Sequence, residues 1–238
     1  MHCEGGMTPR HKFDPALLPE RPNLDFEQEL WKKGLHAIAG VDEAGRGALA
    51  GPVAAGAVIL PHNQTDLAGS LHGVRDSKEM TPKDRQSWAA AIKEIALAWK
   101  VGFASPAEID RLGIVPATYL AVSRALAGLG RPAEHLLVDY LTLPEAGVGQ
   151  TPLVKGDARS LSIASASILA KTARDTLLVV MEADYPGYGF CRNMGYGTEE
   201  HRAAIQALGP CEQHRRTFSP VVEYFSLFPP KDVTERNQ

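Results

Sequence analysis

The sequence predicts an α/β protein with a mixed central sheet flanked by helices and a small C-terminal helical lobe. Two observations carry this reading. Apolar strand-like runs come first, at 36–41 and 53–60, and strand and helix patterns then alternate along the chain. A third is a long stripe of apolar and small residues at helical spacing, Ile163, Ala166, Ala170, Ala173, Leu177 and Val180, whose ASAS segment at 164–167 permits close approach to a sheet.

Taken in order, residues 1–24 are Pro-rich and polar and are expected to form a poorly ordered leader, with one main domain over 25–228 and a disordered tail at 229–238. A short helix at 25–33 precedes the first strand. Pro61, His62 and Asn63 end the second strand, and 66–80 reads as loop. Thr81-Pro82-Lys83-Asp84 is a helix start, with a hydroxyl cap, proline in the first turn and an acid at the positive end of the dipole. Trp88, Ile92, Ile95 and Trp99 then recur on one helical face, which predicts core packing for both tryptophans. Residues 100–104 suit a strand, Ser105 to Glu108 spells a capping box, and 116–129 is helical with Tyr119, Val122 and Leu126 on its apolar face. A strand at 135–138 ends in Asp139, and a short one at 153–154 precedes Lys155-Gly156-Asp157. A long helix runs from Ser160 to about 183, ended by Tyr185-Pro186-Gly187. The glycine-rich loop GYGFCRNMGYG leads to a helix capped by Thr198, and the helical C-terminal part spans about 184–228.

Composition narrows the function classes. The 238 residues are 44% hydrophobic and 22% charged, enough for a substantial core. No apolar run approaches the ~20 residues that span a bilayer, so a cytoplasmic location without membrane contact is expected. Cys3, Cys191 and Cys211 are odd in number and unpaired in spacing, and the eight histidines show no ligand spacing, which argues against a disulfide framework or a zinc site. A net charge of −3 disfavours gripping nucleic acid by bulk electrostatics. Any such contact must rest on local cations, with candidates at Arg75, Lys78, Lys155, Arg159, Lys171, Arg174, Arg192, His214, Arg215 and Arg216, the alternative for most being a solvated charged face.

Chemistry concentrates where the first strand ends. Asp42 and Glu43 are adjacent, so on extended backbone their side chains leave on opposite faces, and two carboxylates this close call for a cation. Gly45-Arg46-Gly47 follows at once, offering backbone amides without Cβ atoms in the way and a guanidinium fork suited to phosphate. Acids that hold a divalent metal beside a phosphate-seeking loop suggest phosphodiester chemistry. Asp139 also stands just after an apolar strand, and Asp157 lies 157 − 139 = 18 residues further on.

The stretch at 38–60 resembles the first signature of the ribonuclease HII family, and VKGDARSLSIASASILAKTARD resembles a second. With Val138-Asp139 between them, the match covers about 38–221. The resemblance implies a ribonuclease H-like fold, which periodicity alone does not single out, and a cluster of four carboxylates, Asp42, Glu43, Asp139 and Asp157. Like charges ~4 Å apart repel by about 4 kcal/mol at an effective dielectric of 20, so such a cluster calls for cations. Two divalent ions, Mg2+ or Mn2+, would cancel it, with Asp42 and Asp139 shared and Glu43 and Asp157 completing one ion each. The activity implied is endonucleolytic hydrolysis of RNA in RNA/DNA hybrids and 5′ of ribonucleotides embedded in duplex DNA, by a monomer. In similar enzymes the Gly45-Arg46-Gly47 loop bonds the 2′-hydroxyl, a tyrosine matching Tyr196 of Gly195-Tyr196-Gly197-Thr198 stacks on the neighbouring deoxyribose, and Lys78 of Asp76-Ser77-Lys78 is placed to meet phosphate. Asp175, some five turns along the helix from Asp157, reads instead as a structural ion pair.

The chain departs from the family pattern at Ala48, where proline is usual, at Tyr140, where glycine is usual, and at Met194, where lysine is usual. Two alternatives stay open at this point: a hybrid-binding module with weak turnover, and a metal-dependent exonuclease with another order of acids.

Overall fold

The computed structural model describes residues 13–144 and 146–227. Phe13 to Leu24, grouped with the leader by composition, contain a 3-10 helix, Pro15–Leu17, capped by Asp14, and Asn23 bridges to Ser160. Residues 1–12 and the tail lie outside the described residues. Helix α1 (Asp25–Lys32) precedes β1 (Ile38–Ala44) and β2 (Val53–Ile59). The segment expected as loop holds a short helix, α2 (Leu67–Ser70), before α3 (Pro82–Ile95), β3 (Ala98–Ala104), α4 (Pro106–Leu112) and α5 (Ile114–Ala127). There follow β4 (His135–Asp139), β5 (Gly149–Leu153), α6 (Leu161–Asp184), α7 (Phe190–Asn193), α8 (Glu199–Leu208) and α9 (Val221–Leu227).

The five strands form one mixed sheet in the order β3-β2-β1-β4-β5. β1 and β2 pair antiparallel, as do β2 and β3, whereas β1–β4 and β4–β5 are parallel. Alternation along β1 and β2 sends Ala39, Val41, Ala55, Ala57 and Ile59 to a core covered by α5 through Ala117, Ala121, Val122 and Ala125. The other face meets α6. A Cβ on Gly40 would stand 2.2 Å from the Ser162 backbone, and one on Gly56 2.2 Å from the Ala166 carbonyl, so only glycine in the strands and small residues on the helix allow this approach.

The caps read from sequence form as expected: Thr81 and Thr198 accept from backbone amides, and Ser105 with Glu108 completes a capping box; Ser160, from which the long helix was expected to run, proves to be its cap as well. Two periodicity readings need correction. Trp99 lies on β3 with 36% of its surface exposed, not on the helix, because α3 ends at Ile95. The distal stripe of α6 is rotated: Leu177 and Val180 are exposed, while Arg174, Leu178 and Met181 are buried. A charged residue in the buried stripe misplaced the apolar face. Leu178 and Met181 instead join Leu49, Ala50, Tyr188, Phe190, Ile205 and Val221 in a second core, which ties the C-terminal helices to the loop after β1.

Candidate active site

Because β1 and β4 are parallel with Val41 opposite Val138, Asp42 and Asp139 emerge side by side at the carboxyl ends of neighbouring strands. Asp157 sits in a 3-10 turn, Gly156–Ala158, just ahead of α6, and is buried like Asp42. Burial, then the charges of Glu43 and Asp139, raise Asp42 well above the usual carboxylate range, against a hydrogen bond with Ser167. Asp139 is pushed to about 6 by burial and by Asp157, although the Gly156 amide donates to its Oδ1 at 2.6 Å. Two cations partly offset this repulsion. Lys78 Nζ lies 3.6 Å from Asp157, and Arg46 bonds Glu43 at 3.1 Å. Among the described residues no three such groups are drawn tightly enough to encircle an ion. The donor set nevertheless suits a hard divalent cation, being all carboxylate and strained by its own charge.

Each neighbouring segment is anchored from within. Ser77 bonds Ser167 at 2.9 Å, and Arg85 takes the Ser77 and Met80 carbonyls, fixing the segment that carries Lys78. Arg85 and Lys171 also bind Asp175, at 3.0 and 2.8 Å, so Asp175 is a structural ion pair. A cleft of about 710 Å³ beside Asp139 and Asp157 collects Arg21, Arg75, Lys78 and Lys155. Arg159 places its guanidinium over Phe26 at 5.0 Å, and Arg192 pairs with Glu200.

Three of the proposed surface cations are buried. Arg174, His214 and Arg215 are wholly excluded from solvent. Arg215 donates to the carbonyls of Gly45, Arg46 and Gly51, and Arg174 to those of Ala50, Pro52 and Met194, all between 2.7 and 3.1 Å. Burial, and then Arg174 beside it, lower Arg215 from the usual arginine range. The Gly45-Arg46-Gly47 loop is therefore held from behind. Gly45 has φ +89°, and a Cβ there would lie 2.0 Å from Arg174 Nε, whereas a Cβ on Gly47 would meet nothing. Tyr196 is half-buried, with Lys171 Nζ and Arg174 Cζ each 5.4 Å from its ring centre.

The histidines missed by ligand spacing form a chain. The Cys211 amide reaches His214 Nδ1 at 3.0 Å, the two Nε2 atoms of His214 and His201 are 3.1 Å apart, and His201 Nδ1 is 2.9 Å from the Tyr196 carbonyl. With both rings neutral every bond is satisfied: His214 Nε2–H donates to His201, and His201 Nδ1–H donates to Tyr196. Burial, then His201, hold His214 down at about 3. Between this value and ~6.5 the unfolded chain takes up a proton that the native one does not, so this contribution to stability is complete above ~6.5 and erodes by about 1.4 kcal/mol per pH unit below it. Urea melts from pH 7 to 4.5 should show a shallower decline in His214→Gln than in the parent. Comparing the two removes the opposite trend of Asp42 and Asp139.

Tyr140 stands beside Asp139 at φ +56°, 67% exposed, with its amide bonded to the Leu153 carbonyl. This left-handed conformation suits glycine. Tyr140→Gly should raise stability by about 0.5–1 kcal/mol in thermal melts, and a loss of stability would mean that the ring packs usefully.

The fold compares with that of the ribonuclease H2 from Pyrococcus horikoshii OT3, with a TM-score of 0.66 and 26% identity over 82% of this chain and 99% of that one. Acids at the ends of parallel strands in a mixed five-stranded sheet, on this fold, define an α/β enzyme of the ribonuclease H-like class. The family model for ribonuclease HII matches residues 39–221. The ribonuclease HII of Synechococcus sp. is 56% identical over 201 residues, 84% of this chain and 90% of the relative, and that of Thermus thermophilus is 47% identical over 209 residues, 86% and 96%. The chain belongs to the ribonuclease HII family, and it is an endonuclease that hydrolyses RNA in RNA/DNA hybrids. Among the described residues no helix is long and apolar enough to cross a membrane.

Proposed function

We propose that this enzyme cuts on the 5′ side of a ribonucleotide, both within hybrids and where a single one is embedded in duplex DNA, leaving 5′-phosphate and 3′-hydroxyl ends. The observation that carries the reading is the adjacency of two devices at one strand end. The acids Asp42 and Asp139 lie beside a loop whose carbonyls are tied inward and whose Arg46 and Gly47 amides, among the described residues, donate to no protein acceptor. Asp42, Glu43, Asp139 and Asp157 would hold two divalent cations, Mg2+ or Mn2+, which when bound lower the pKa of the attacking water and neutralise charge on the leaving 3′ oxygen. To join that set, Glu43 exchanges its bond with Arg46, freeing the guanidinium for phosphate. Lys78 lies near enough to the acids to steady the scissile phosphate, and Tyr196, held by its carbonyl and flanked by cations, offers a face for the adjoining sugar. The amides of the Gly45-Arg46-Gly47 loop bond the 2′-hydroxyl, a group that DNA lacks.

Product mapping on a DNA duplex carrying one ribonucleotide tests this in the presence of Mg2+ or Mn2+. Cleavage at its 5′ side with 3′-hydroxyl ends is expected. Equal cleavage of an all-DNA duplex would overturn the reading, and cleavage of long hybrids without cutting at the single ribonucleotide would confine the activity to hybrids.

A further inference from the structure

We propose that Arg174 and Arg215 are positioning residues that set the preference for a ribonucleotide, by drawing inward five carbonyls of the loop after β1, together with that of Met194, and thereby fixing the outward amides of Arg46 and Gly47. The inference rests on the reading of that loop as the site of 2′-hydroxyl recognition.

Two guanidiniums with no solvent exposure repel each other, and burying such charges without carboxylates is costly. Among the described residues neither has a carboxylate within salt-bridge distance; each gives its Nε and both terminal nitrogens to carbonyls alone. A core that needed only cohesion would fill this space with apolar side chains. A fork with fixed donor directions does something that an apolar side chain cannot: it dictates the plane of the peptides it holds. Arg215 clamps the carbonyls of Gly45 and Arg46 at 2.7 Å each, so the N–H groups of the next residues, Arg46 and Gly47, are turned the opposite way. Arg174 secures the rear of the loop at Ala50 and Pro52 and joins it to the Met194 carbonyl, two residues before Tyr196, under whose ring it also lies. The two elements expected to read the sugar thus share one scaffold of cationic hydrogen bonds, with spacing set before substrate arrives. A displacement of a hydrogen-bonding amide weakens recognition of a hydroxyl far more than it weakens contact with phosphate.

Arg215→Lys and Arg174→Lys keep a nitrogen donor on a long side chain and remove the fork. Each would be made in an Asp42→Asn background, so that binding is read without turnover, and titrated in Mg2+ with a duplex carrying one ribonucleotide and with its all-DNA counterpart. The expected result is a fall of about tenfold or more in the ratio of the two affinities, with all-DNA affinity changed less than about twofold. An unchanged ratio, or equal losses on both duplexes, would overturn the proposal. So would failure of both variants to fold, which would reduce the arginines to a structural role; if only one folds, that one decides. Absence of any ribonucleotide preference in the Asp42→Asn parent would instead sink the underlying reading of the loop.

Discussion

Asp42→Asn is expected to abolish hydrolysis while raising the melting temperature of the metal-free protein. Asp42 is buried, and the adjacent charges of Glu43 and Asp139 oppose its ionisation, so its charge is tolerated at a cost to the fold. An amide of the same shape removes that repulsion, for a gain of about 1–3 kcal/mol, or roughly 2–4 °C per kcal/mol in a chain of this size. The same change removes a ligand on which cation binding would depend, and the rate should fall by about three orders of magnitude or more. Steady-state cleavage and calorimetry on one preparation check both signs. A near-normal rate would place the metal site elsewhere. Asp175→Asn is the opposite control: its carboxylate holds Arg85 and Lys171 at 3.0 and 2.8 Å, so stability should drop while most activity is retained below the melting transition.

Gly47→Ala should lose about 100-fold in activity without losing stability. The alanine methyl would meet no protein atom, and Gly47 lies outside the positive-φ region, so the folded state accepts it and the unfolded state loses some entropy. If the Gly47 amide reads a hydroxyl, that methyl instead stands between backbone and substrate, and a displacement near 1 Å is enough for a loss of this size. Gly45→Ala should behave in reverse, destabilising the fold through φ +89° and contact with Arg174. Melting curves and rates for the pair decide the point. Full activity in Gly47→Ala would show that this glycine lies away from the substrate.

The comparison of these two glycines shows where sequence reading ends. Gly45-Arg46-Gly47 was legible as a loop beside acids, because adjacent residues and strand ends are local features, and so were the caps at Thr81, Ser105 and Thr198, each formed within three residues. The order of Asp42, Glu43, Asp139 and Asp157, and the strands that carry Asp42 and Asp139, were likewise readable from apolar runs ending in charge, although β1 continues past Asp42 to Ala44. What the chain alone left open is which glycine faces protein and which faces outward, since that depends on Arg174, which is 129 residues away from Gly45 (174 − 45 = 129).

The sequence by itself determined the α/β class, the helix starts and the family, and it marked the four acids as candidates, all from short-range periodicity or from motifs. Tertiary structure alone decided the strand order β3-β2-β1-β4-β5, the rotation of the distal half of α6, and the burial of Arg174, His214 and Arg215. The physical reason is that hydrophobic periodicity ranks a side chain by its own polarity, whereas a charged group enters the core only when distant segments bring enough acceptors to replace water. For Arg174 and Arg215 those acceptors are backbone carbonyls, which every residue carries and no sequence pattern marks.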